Sequence, residues 1–284
     1  MGDVFIGSEA IAAGTLNEYQ LRRWYRTIFR DVYIAKRDEP TLDDRILGAW
    51  LWSRGRAVIA GAAASALHGA RWVDADTTID LVSKSARPQH GLIVRNETLG
   101  ADEVTAIKRL PVTSVARTAF DLGRRLPRDK ALARLAALMH ATPFSAEDVS
   151  VLAKRHRGAR GLRRLAEVLP LVDGGAASPK ESWLRLLLID AGLPKPRTQI
   201  PVNDGWRLLG LLDLGWEEYM VAVEYDGDQH RMDRRQFVKD IGRLATFADL
   251  GWIVIRVVAE HRPDDILSRV LQALARRGYR RDRH

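Results

Sequence analysis

The stretch LDLGWEEYMVAVEYDGDQH, residues 212–230, most constrains what this chain can fold into. Two apolar runs meet at a polar turn near Glu217 and Glu218, the pattern of a β-hairpin. Yet these strands carry Asp213, Glu224 and Asp226, and His230 lies just beyond. Alternation puts Met220, Ala222, Glu224 and Asp226 on one face and Val221, Val223 and Tyr225 on the other. In an antiparallel pair Asp213 then falls opposite or diagonal to Glu224. Carboxylates held this way are expensive unless paired or bound to a cation. Oxygen donors alone favour magnesium or manganese over zinc, and such an ion activates water and stabilises charge on a phosphodiester. His230 suits a general base, a further ligand or a phosphate contact.

The flanking residues complete an order. Ser178, Pro179 and Glu181 open a helix with a serine cap, a first-turn proline and an acid three residues after the cap. RTQIPV, RLLGLLDL and MVAVEYD read as strands. DRRQFVKDIGRLATFADLG reads as an amphipathic helix with Phe237, Ile241, Leu244 and Ala248 on one stripe. WIVIRVV is a β-branched inner strand, and DDILSRVLQALARRG closes the chain as a helix. Residues 178–284 therefore predict an αβββαβα domain. The small, Gly-rich VDGGAAS, residues 172–178, reads as the linker before it.

Upstream, the expected class is again α/β, making the whole chain an α/β multidomain protein. Residues 1–38 read helix, turn, helix, strand pair: SEAIAAG from a Ser cap, then TLNEYQLRRWYRT, then IFRDVYIA. That order, with Arg22, Arg23 and Arg26 on or beside the second helix, suits a winged helix-turn-helix that binds DNA; the bland alternative is a small helical cap. Residues 39–171 read as a mixed middle domain. Thr41 and Asp44 open a helix through Trp52, TTIDLVS and GLIVRN are strands, and PVTSVARTAFDLGRRL is a helix capped by Thr113 or Ser114. Arg117 and Asp121, four apart on that helix, read as a surface pair. The basic run KRHRGARGLRRL either follows a phosphate backbone or is a solvated helix face and loop.

Composition narrows the function classes. The 284 residues include no cysteine, which excludes disulfides and thiolate metal sites and fits a reducing cytoplasm. No leader pattern or membrane-spanning run is evident, so a cytoplasmic protein with no membrane role is expected. A net charge of +9 points to nucleic acid, although arginine usage in a GC-rich genome gives the same balance. Phosphate-cradling glycine loops and serine-nucleophile motifs are missing.

The last hundred residues resemble the restriction-endonuclease-like PD-(D/E)XK fold, and more closely its very-short-patch-repair (Vsr-like) relatives. The matching residues are Glu181 in SPKESWLRLLL, AGLPKPRTQ, Asp213, VEYDGDQH, the Asp240–Arg243 pair in KDIGR, and GWIVIRV. The resemblance implies a Mg2+- or Mn2+-dependent endonuclease site. In it Asp213, Glu224 and Glu181 hold the ion, Asp226 and His230 join the catalytic set, and Lys239 and Arg243 supply positive charge to DNA. Glu181 serves equally as the helix cap. The family's E-x-K would place lysine where this chain has Asp226; Vsr-like relatives also lack it and lean on histidine. The first section, with GAAASALHG and LPVTSVARTAFDL, resembles the N-terminal winged-helix and core region of AbiEi-type antitoxins, which implies a toxin–antitoxin setting. Two readings follow: a metal-dependent endonuclease acting on DNA, or a non-catalytic DNA-binding regulator of antitoxin or repressor type with a degenerate nuclease fold. DNA is the expected partner, with a cognate toxin or a second copy of the chain besides. A pure interaction scaffold has only apolar surface helices in its favour.

Overall fold

Short strands and capped helices divide into two compact units, Met1–Val172 and Asp173–His284. The computed structural model describes residues 3–84, 87–176, 178–226 and 234–281, with backbone alone for 234–241.

In the first unit β1 (Phe5–Ile6) runs into α1 (Gly7–Ala12); α2 (Glu18–Trp24) follows, and β2 (Tyr25–Phe29) and β3 (Val32–Ala35) form a hairpin. The strands make one antiparallel sheet in the order β1-β3-β2. Asn17 and Gln20 cap α2 reciprocally: each backbone N–H donates to the other's side chain, at 2.9 and 2.8 Å. Two otherwise orphaned N–H groups are thereby satisfied. Ser8 differs from its expected role as a helix cap. Its N–H and hydroxyl donate to the Asp31 carboxylate in the hairpin turn, at 2.8 and 2.6 Å. Ile6 stands at the cap position of α1, with no side-chain bond. Asp31 adopts the left-handed backbone the turn requires, at φ 63°. Arg54 closes the tie, 2.7 Å from Asp31 and 2.8 Å from Glu9.

Helix α3 (Leu42–Trp52) begins at the Thr41–Asp44 capping box expected for it. Ile46 and Ala49 of α3 share one apolar core with Phe29 and Val32 of the hairpin and with Ile59, Ile79, Leu81 and Val112. Residues 1–38 and 39–171 are thus joined by a common core rather than packed as separate bodies. The remaining strands are β4 (Val58–Ala60), β5 (Ile79–Val82), β6 (Leu92–Arg95), β7 (Val104–Ile107) and β8 (Leu110–Thr113), in the sheet order β6-β5-β4-β8-β7. β5 runs parallel to β6 and β4 to β8; the other pairs are antiparallel. Helix α4 (Gly61–Leu67) follows β4, and α5 (Val115–Arg125), capped by Ser114, follows β8. Then come α6 (Arg128–Ala141), α7 (Ala146–Arg155) and α8 (Leu162–Val168). α5 is enclosed by α4, α6, α7 and α8.

The second unit has the expected order. It comprises α9 (Pro179–Asp190), β9 (Arg197–Asp204), β10 (Arg207–Trp216), β11 (Val221–Tyr225), α10 (Arg234–Asp249), β12 (Ile253–Val257) and α11 (Pro263–Arg276). The sheet order is β12-β11-β10-β9, with β11 and β12 parallel, as a crossover helix between them requires. Val221, Val223, Leu214 and Trp216 pack with Leu184 and Leu188 of α9 and with Ile266, Val270 and Leu274 of α11. Among the described side chains of α10, Phe247 is fully buried, whereas Ala248 is exposed. The expected stripe was therefore set one position off over this turn; Phe237 and Ile241 lie outside the described side chains. Among the described residues no helix is long and apolar enough to cross a membrane.

Gly161 caps α8 at φ 86°, and a methyl group there would overlap the carbonyl oxygen of Arg124. Gly161→Ala is expected to destabilise the protein by at least about 2 kcal/mol, through left-handed strain and that overlap. Thermal denaturation of the intact chain should show a midpoint lower by about 5 °C.

Candidate functional site

Three groups of residues have the chemistry to act: carboxylates on the second sheet, arginines on α2, and a charged cleft around α5.

The register Leu214↔Val223, Gly215↔Ala222, carried one step further, sets Asp213 against Glu224. The Tyr225 N–H donates to Asp213 Oδ2 at 3.1 Å, confirming the approach. Glu181 reaches the same region from the first turn of α9. Its backbone N–H donates to the Ser178 hydroxyl at 3.2 Å, and that hydroxyl lies 2.9 Å from Glu181 Oε1, so it takes part in the cap. Burial, then repulsion from Glu181 and Glu224, pushes Asp213 up to about 7, against the opposing Tyr225 hydrogen bond and the charge of Arg243. The three acids thus sense one another as expected, but arginine also enters. Arg243 of α10 stands 3.4 Å from Glu224 and lies over the Phe247 ring, 5.6 Å from its centroid. Arg256, beside Glu224 in the β11–β12 register, binds Asp226.

Asp226 is an ion-pair partner of Arg256, and Arg243 is turned toward Glu224 and Phe247 rather than held out for a phosphate. Among the described residues no group of three acids and histidines converges to hold a metal ion. His230 lies outside the described residues, and the Lys239 side chain outside the described side chains.

On α2, Tyr19, Arg22, Arg23 and Trp24 are all exposed. Arg22 pairs with Glu18 at 3.0 Å along the helix, a contact worth little in water. The Arg23 guanidinium lies 5.0 Å from the Trp24 ring centre and 5.9 Å from Tyr19. Trp24 and Tyr19 are 59% and 67% exposed, so this cation–aromatic cluster faces solvent. Arg26 differs from expectation. It sits on β2, pairs with Glu39 at 2.8 Å and donates to the Asp38 carbonyl, tying down the chain after β3.

The third group was missed in the sequence. Arg117 and Asp121 are not a surface pair: both are almost wholly buried, at 1% exposure each. Arg117 binds Asp121 at 3.1 Å and also grips Glu103 and Glu97. Arg124 and Arg125 each bridge Glu97 to Asp121, at 2.7 to 3.0 Å. His156 Nε2 meets Glu103 at 2.7 Å. Burial raises Glu97, but bonds and charge from Arg124 and Arg125 outweigh it and hold the carboxyl at about 2. Above the network opens a cleft of about 940 Å³, lined by α5, the segment after β6 and the loop 156–161. The basic run, which by pattern is more often a solvated helix face and loop, supplies one wall. A signal was available: arginines at 117, 124 and 125 with Asp121 inside an otherwise apolar helix.

Removing Arg117 leaves buried carboxylates uncompensated, so Arg117→Ala should cost about 3–5 kcal/mol, read in a urea titration. Asp213 behaves oppositely to a stabilising acid. Its folded pKa lies above the unfolded value of 3.8, so the stability it lends below pH 3.8 is lost as pH rises toward 7. Asp213→Asn should therefore raise the melting temperature at pH 8 and leave it nearly unchanged at pH 4.

Comparison with known proteins agrees with part of this picture. Residues 57–171 match the AbiEi antitoxin C-terminal domain. Two uncharacterized proteins of Mycobacterium tuberculosis, Rv2248 (strain H37Rv) and MT2308 (strain CDC 1551), are each 30% identical over 263 residues. Each match covers 90% of this chain and 93% of the relative. The chain therefore belongs to one family with these mycobacterial proteins, and within it residues 57–171 form the region similar to the AbiEi antitoxin C-terminal domain.

Proposed function

We propose that this protein is a DNA-binding regulator of toxin–antitoxin type. The observation that carries the reading is the solvent-facing cluster of Tyr19, Arg22, Arg23 and Trp24 on α2, directly before the β2–β3 hairpin. A helix of that kind, second of a pair and followed by a wing, enters a groove while arginine contacts phosphate or base edges. The AbiEi match supports the antitoxin setting and makes a cognate toxin the protein partner to seek; a second copy of the chain would fit a two-fold operator.

A second reading is favoured by the αβββαβα order of the C-terminal unit, which resembles a PD-(D/E)XK nuclease. Under it, Asp213, Glu224 and Glu181 would hold Mg2+ or Mn2+, and His230 would move protons. The Arg243 and Arg256 ion pairs weigh against turnover, so the unit is better read as a nuclease-like shape kept without cleavage.

Binding to duplex DNA from upstream of the protein's own gene, followed by fluorescence anisotropy, tests the first reading. Replacing Arg22 and Arg23 together by alanine should weaken binding at least tenfold and flatten the log–log salt slope by about 2. Asp213→Asn should bind as wild type does. Nicking of supercoiled plasmid with Mg2+ or Mn2+, abolished by Asp213→Ala, would instead establish the nuclease reading.

A further inference from the structure

The cleft beside α5 carries more positive charge than its own acids compensate. Arg95 is matched by Asp80 at 2.9 Å and Arg155 by Asp102 at 2.8 Å, while Arg117 and Arg124 are held by the buried acids. Three further arginines on the wall have no carboxylate partner among the described residues. Arg157 donates only to the Lys154 carbonyl, at 3.2 Å. Arg164 donates to the carbonyls of Arg125 and Leu126 at the end of α5. The Arg160 side chain makes no hydrogen bond or ion pair within the described residues; only its carbonyl is engaged, by Arg124. Deeper in, Arg125 Nη1 is buried without a hydrogen-bond partner, although Nη2 of the same group binds Glu97 and Asp121.

A buried guanidinium nitrogen with nothing to donate to is costly, and it calls for an acceptor. The wall also has an apolar side: Leu99, Phe120 and Ala159 line the same space. Planar guanidinium forks match phosphate oxygens in paired hydrogen bonds, and apolar surface beside them suits a ring or a short carbon frame. At about 940 Å³ the space is that of a small-molecule site, too confined for a duplex.

We infer that the cleft binds a phosphorylated ligand of nucleotide size, its phosphates held by Arg125, Arg157 and Arg160. This site is independent of DNA binding by α2. The phosphate could come from a free nucleotide or from the phosphorylated end of a nucleic acid strand, and the probes separate the two.

Isothermal titration of the full chain with ADP, inorganic pyrophosphate, adenosine and a 5′-phosphorylated oligonucleotide tests the inference. ADP and pyrophosphate should bind one to one and raise the melting temperature, while adenosine should not bind. Binding of the oligonucleotide, lost when its 5′-phosphate is removed, would assign the strand end as the source and uphold the site. Arg157→Ala with Arg160→Ala should weaken the active probe at least tenfold without lowering the melting temperature of the unliganded protein. Arg22→Ala should leave it unchanged. Absence of binding by every phosphorylated probe at millimolar concentration would overturn the inference. So would affinity that the two cleft substitutions leave intact.

Discussion

Arg117, Asp121, Glu103 and Glu97 exchange charge-assisted hydrogen bonds in the interior of the first unit, and the arrangement around α5 depends on them. Taking such groups from water carries a large desolvation penalty, recovered only where every lone pair and proton finds a partner. The network accordingly fixes several elements at once. It joins α5 to the turn before β7, to the segment after β6, and through His156 to the end of α7. Apolar packing alone tolerates small slides between helices; directional bonds to one guanidinium do not. The cleft inherits its shape from this rigidity, since Arg124 and Arg125 continue from the network into its wall.

In the second unit the charge problem is solved differently. Asp213 is pushed toward the neutral acid, Glu224 faces Arg243, and Asp226 takes Arg256. Here two arginines stand among the acids. Those ion pairs and the AbiEi match in the first unit support the proposed regulator reading beside the α2 cluster.

Much of the architecture was legible in the chain itself. The order of the C-terminal unit followed from period-two runs, a serine cap and one β-branched inner strand, and the antiparallel register put Asp213 beside Glu224 as alternation requires. Local chemistry located α3 through Thr41 and Asp44. Partners distant in sequence were not legible. Asp31 captured Ser8 from its expected cap, and Glu39 paired with Arg26, which was expected to contact DNA. Arg117 and Asp121 carry the spacing of a surface pair, and the one local hint that α4, α6, α7 and α8 enclose them is the further charge at Arg124 and Arg125 on an apolar helix. At the last turn of α10 the expected stripe named Ala248, but its neighbour Phe247 is the side chain that packing turns inward.

The Ser8–Asp31–Arg54–Glu9 tie has a consequence for how a groove would be met. It clamps the tip of the β2–β3 hairpin to the start of α1 and to the residue just past α3. Under the proposed DNA-binding reading, this solvent-exposed tie biases the hairpin toward one orientation against α1, so somewhat less freedom is surrendered on docking. Part of any bending needed for a close fit would then fall on the nucleic acid, favouring sequences that deform easily even at base pairs the protein never touches.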